Sequence, residues 1–226
     1  MKIRMRGAFR RATWCFAALS ALAAAQSLAA QQTVVTLDPA KTTIGITLGA
    51  TMHTVHGVFK LKSGQIQFDP ATGAASGTII VDATSGDTGN SSRDKKMHGE
   101  ILESPKFPEI VFTANHVGVH AGAQAAQNSP QAGNRIQDLL AQRSAFQADV
   151  SGTLRLHGND HPTTLVIAAQ PITANQLRLS TEFPVPYIEW GLKNPNTFVL
   201  RVSNTVDVEV HATAETTQVR MPTHNP

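Results

Sequence analysis

From Gln32 onward the chain alternates apolar and polar residues with a period of two, and this alternation constrains its fold more than any other feature. Ile44, Ile46 and Leu48 alternate with Thr43, Gly45 and Thr47, and Val55, Gly57, Phe59 and Leu61 alternate with His56, Val58, Lys60 and Lys62. Each run gives an extended strand one apolar face and one wet face. Ile66 and Phe68 carry the pattern past Ser63 and Gly64, and the Asp69-Pro70-Ala71-Thr72-Gly73 turn leads to a strand near 77–82. Further strands are predicted near 109–113, 145–156, 163–169, 177–183 and 198–212. About eight antiparallel strands with short turns predict an all-β fold, and closing them into a lipocalin-like barrel removes every exposed sheet edge.

One segment breaks the period. Within 90–103, Ser91 or Ser92 is placed to cap one short α-helix, and Met97, Ile101 and Leu102 fall on one helical face. Ser104-Pro105 and Pro108 end it. Residues 118–143, rich in Ala, Gln, Gly and Asn, read as a surface loop inserted into the domain, with a partial helix near 136–140. Residues 31–214 form one domain on this reading, and 215–226, without periodicity, form a flexible tail.

The first thirty residues read as a secretory signal peptide. Lys2, Arg4, Arg6, Arg10 and Arg11 precede an alanine-rich apolar run, and small residues follow at Ser27 to Ala30. Cleavage after Ala29 or Ala30 and a periplasmic location are expected. Losing those five basic residues takes Lys+Arg from 19 to 14 against 16 Asp+Glu, so the mature chain is mildly acidic and a nucleic-acid partner is not expected. Cys15, the one cysteine, lies in the same segment, so hydrophobic burial rather than a disulfide must hold the mature protein together.

A barrel of this size either packs its interior with side chains or keeps room for one slender ligand. Gly45, Gly57, Ala148, Gly152, Ala169 and Ala212 are small residues among aliphatic ones, and the mature chain has one Trp and one Tyr to fill space. For the histidines, His53 and His56 are three apart, and His157 and His161 flank Gly158-Asn159-Asp160, which reads as a turn. Neither spacing is diagnostic of metal, and polar residues at a barrel mouth account for both. No nucleophile elbow, phosphate loop or close carboxylate pair is evident, and Asp94 beside Arg93 suits the first turn of a helix, so no enzyme activity and no cofactor are expected.

Four segments stand out together: Leu37 to Ile44 running through His53, His56, Gly57 and Phe59 to Gly64, Ile66, Phe68 and Asp69; Arg93-Asp94 with the helix and Phe107-Pro108-Glu109-Ile110-Val111-Phe112; Gly152 to Gly158 with His161-Pro162-Thr163; and Phe183 to Gly191 with the closing strand. In order and spacing they resemble the YceI-like family of periplasmic polyisoprenoid-binding proteins. The second is the most specific. Departures are Ile46 where the family often has an aromatic, Lys41 where it often has His, Ile101-Leu102 where Phe-Phe is common, and the 118–143 insertion. These bear on which lipid is held.

The resemblance implies a lipocalin-like barrel whose tunnel receives the tail of a long-chain isoprenoid or quinone-like lipid, with transient contact with a membrane. Its oligomeric state is left open, a dimer included. The inward members of each strand are the candidate ligand contacts: Phe59, Leu61, Ile66, Phe68, Ile79, Val81, Ile110, Phe112, Val150, Leu154, Leu156, Leu165, Ile167, Leu179, Phe183, Val206 and Val208. His53, where the family tends to place a histidine near the entrance, is the candidate for a head-group hydrogen bond. With no basic cluster in the strands, weak head-group selectivity is expected. The other reading is an extracytoplasmic interaction module with a packed core and no lipid.

Overall fold

In the computed structural model, which describes residues 31–51, 53–121, 139, 142–196 and 201–220, antiparallel strands β1 to β8 close into a barrel. They are β1 (Gln31–Gly49), β2 (Thr54–Phe68), β3 (Ala75–Asp87), β4 (Glu109–Ala121), β5 (Phe146–Leu156), β6 (Asn159–Pro171), β7 (Gln176–Val185) and β8 (Val206–Arg220). Each strand pairs with its sequence neighbours, and β8 returns to β1 along a register from Gln32↔Val219 to Thr47↔Asp207. The connections after β1, β3, β5 and β7 therefore gather at one end, here the upper end. Helix α1 (Ser91–Lys96) and the π-helical turn Met97–Ile101 lie there, between β3 and β4.

The alternation changes parity along four strands. In β2 the inward set is Val55, Gly57, Phe59 and Leu61, then Gly64, Ile66 and Phe68 after the exposed pair Lys62 and Ser63. β1 shifts between Leu37 and Thr42, β3 bends between Asp82 and Asp87, and β4 shifts between Ala114 and His116. A bulge adds residues to one strand, so side chains beyond it change face unless the apolar pattern slips with them. Here it slips, which is why Leu61 and Ile66, five apart, both point inward. Gly45 is corrected: its neighbours Ile44 and Ile46 face the interior, so it belongs to the outer face.

Several sequence expectations give way. Residues 118–121 are strand, paired with 146–149, and Leu139 is helical and buried in the core, so the insertion is not wholly a surface loop. Residues 215–220 are the end of β8 rather than tail, paired with 31–36. Their buried inward position, Thr216, is polar, so hydropathy does not reveal a strand that backbone pairing makes stable. The helix cap is Asn90, whose Oδ1 accepts from the Arg93 N–H at 3.0 Å, not Ser91 or Ser92. The β5–β6 turn is His157-Gly158, with φ of 52° and 79°, as a two-residue I′ hairpin requires, and Asn159 already pairs with Leu156.

The signal-peptide segment 1–30, residues 122–138 and 221–226, and the start proposed for the last strand at 198–200 lie outside the described residues. Among the described residues no helix is long and apolar enough to cross a membrane.

Candidate functional site: an apolar cavity through the barrel

The barrel interior is open. It holds a cavity of about 710 Å³, within the range of about 300–1,000 Å³ usual for small-ligand sites. The alternative of a filled interior gives way to this space. Part of the room comes from small inward residues: Ala148, Ala169 and Ala212 line the wall, and Gly152 leaves space that the Phe112 ring occupies. Gly86 on β3 does the same under Phe59 and Met97, since a Cβ there would stand 2.6 Å from the Phe59 ring and 2.7 Å from Met97 Cε.

Every candidate contact named from the sequence lines this cavity: Phe59, Leu61, Ile66 and Phe68 from β2, Ile79 and Val81 from β3, and Ile110 and Phe112 from β4. Val150, Leu154 and Leu156 from β5, Leu165 and Ile167 from β6, Leu179 and Phe183 from β7, Val206 and Val208 from β8, and His53 complete the set. Sequence reasoning missed Val35 and Leu37 at the start of β1, Val117 and Val119 beyond the β4 bulge, and Tyr187 and Leu192 in the β7–β8 connection. Val35 and Leu37 carried a period-two signal that was legible. Tyr187 and Leu192 carried none, because they sit in a turn.

The upper end is built by α1 and the π-turn. His98 fastens this segment: its Nε2–H donates to the Gly86 carbonyl at 2.8 Å, which leaves Nδ1 to accept from the buried Ser104 hydroxyl at 2.9 Å. Met97, Ile101 and Leu102 thereby turn into the cavity, as their shared helical face predicts. Tyr187 closes the opposite side, donating its hydroxyl to the Ser203 carbonyl at 2.8 Å, and burial pushes that phenol above its ordinary range.

Polar groups meet the cavity at this end. His53 and Asn90 are exposed, Arg93 and Lys96 half-buried, and all four line it. Arg93 donates from Nε to Thr88 Oγ1 and from Nη2 to the Thr88 carbonyl, each at 2.7 Å, and Asp94 accepts from the Thr88 N–H at 3.0 Å. The Arg93-Asp94 pair thus braces the turn before the helix. His161 stacks on Trp190 with centroids 4.0 Å apart, and the His157 ring lies 4.4 Å from that of Phe107. Among the described residues, no group of three or more His, Cys, Asp or Glu is placed to hold a metal ion.

No curated protein sequence matches the chain. Several solved structures do resemble it. A polyisoprenoid binding domain from Saccharophagus degradans, implicated in plant cell wall breakdown, is 17% identical with a TM-score of 0.54, over 80% of this chain and 97% of that one. BcnA of Burkholderia cenocepacia is 18% identical with a TM-score of 0.59, over 78% of this chain and 98% of that one. The YceI protein of Campylobacter jejuni is 16% identical with a TM-score of 0.52, over 73% and 86%. These identities establish the shared fold. The sequence itself matches the model of the YceI-like domain over residues 35–214, from the first strand to the last, and the chain belongs to the YceI-like family.

Proposed function

We propose that this protein is a non-catalytic periplasmic carrier that holds one long-chain isoprenoid or quinone-type lipid in the barrel. The observation that carries this reading is the cavity of about 710 Å³ with aliphatic and aromatic walls contributed by every strand. An apolar tail entering it leaves water, and each buried CH₂ contributes about 0.8 kcal/mol. About ten buried carbons then supply roughly 8 kcal/mol before ordering costs, the scale of micromolar binding. The likeness to the polyisoprenoid binding domain of Saccharophagus degradans supports the same ligand class, and the basic, alanine-rich start of the sequence supports export.

Native mass spectrometry and organic extraction of protein purified without detergent test this reading. A bound polyprenyl or quinone species is expected. Folded protein that repeatedly carries no lipid, and takes up no long isoprenoid when offered one, rejects it.

A further inference from the structure

We infer that the lipid selected by this cavity carries an anionic head group, held at the mouth by Arg93 and Lys96. The inference rests on the carrier reading above and narrows its ligand class. Among the described residues lining the cavity, the charged side chains other than histidine are these two cations, and no carboxylate lines it. They stand three apart in α1, so they project from one face of the helix. Arg93 is fixed rather than loose, because Thr88 takes its Nε and Nη2 hydrogens and orients the rest of the guanidinium. Lys96 is held by one long contact, 3.4 Å to the Pro195 carbonyl, which an incoming anion can displace.

The nearby carboxylates are engaged elsewhere. Asp94 is bound to the Thr88 amide and hydroxyl, and Glu100 takes Lys193 at 2.8 Å. The hydrogen bonds of both cations go to neutral oxygens, Arg93 to Thr88 and Lys96 to Pro195, with Glu100 acting on Lys96 only through its charge while it bonds Lys193, and a phosphate or carboxylate head supplies an ionic partner through charge-assisted hydrogen bonds. A neutral quinone or alcohol head accepts hydrogen bonds but brings no opposing charge. The basic cluster missing from the strands is supplied by the helix, so head-group selectivity is strong rather than weak.

Calorimetric titration with geranylgeranyl phosphate and geranylgeraniol, which share one tail, tests this. The phosphate is expected to bind about tenfold tighter or better, as one or two charge-assisted hydrogen bonds would provide. Lys96→Gln should bring the ratio of the two affinities toward one, and raising the salt should shrink it in the parent. Arg93→Gln should act likewise. Because that change also removes the Thr88 bonds, Lys96→Gln is the deciding variant. Equal affinities in the parent, or a ratio untouched by Lys96→Gln, overturn the anionic head and leave the carrier reading standing. Binding of neither probe overturns both.

Discussion

Gly152 on β5 lies beneath the ring of Phe112 on β4: a Cβ at Gly152 would stand 2.8 Å from Phe112 Cζ and 2.2 Å from the Thr113 carbonyl oxygen. The ring can turn away, but the carbonyl belongs to the paired strand and cannot move without the ladder. Gly152→Ala is therefore expected to cost about 1–3 kcal/mol, as overpacking does, and to push Phe112 into the cavity. Urea denaturation should show a lower midpoint. An unchanged midpoint would mean that β4 and β5 separate more easily than this contact implies.

Cavity capacity should respond to the size and charge of the side chains that line its wall. Ala169 is 3% exposed and lines the wall, so Ala169→Phe fills space a tail would use. Native mass spectrometry should show a smaller bound fraction for long isoprenoids while circular dichroism still reports strand. Leu154→Asp is the harsher version, since an ionised carboxylate in this wall has no partner. It should empty the cavity, and lipid retained by a folded Leu154→Asp protein would argue that the tail lies elsewhere.

Acid should loosen the β3 bend through Asp82. Its carboxylate accepts from the Thr84 hydroxyl at 2.6 Å and the Thr84 N–H at 2.8 Å, and the hydroxyl bond first of all holds its pKa below the ordinary value of 3.8. A carboxyl with a depressed folded pKa contributes fully above 3.8, and that contribution is lost as pH falls through the lower folded value. Through Asp82 the thermal midpoint should thus be insensitive to pH near neutrality and fall with pH below 3.8. Asp82→Asn should start from a lower midpoint and show a shallower acid decline, and parallel curves for the two proteins would rule out this cause.

Exported material should begin at Ala30 or Gln31, adjoining the first residues of β1. N-terminal sequencing of a periplasmic extract reads this directly. Met1 retained on a membrane fraction would reverse the localisation and restore the basic charge of the full chain.

The walls of the cavity were legible in the sequence wherever large apolar residues keep strict period two, as in Phe146, Val150, Leu154 and Leu156. Legibility failed where partners replace hydropathy as the reason for a strand. Thr216 and Thr217 are extended because β1 lies beside them, and the Gly118 to His120 stretch because β5 does. Composition alone marks both as loop. The mouth was legible only in part. Met97, Ile101 and Leu102 shared a helical face, but nothing local indicated that Lys96 and Arg93 would edge the same opening, because that depends on how His98 docks the segment onto Gly86.

The pairing of β1 with β8 imposes an order in time. The first strand cannot be sealed until the last, ending at Arg220, has emerged and found it. Closure across nearly the whole chain is the slow kind of contact. Until then the interior is a curled sheet open along one side, and the walls around the cavity are incomplete. A chain whose last strand has not yet docked accordingly has no pocket to fill, and any ligand of the cavity enters only after β8 has closed on β1.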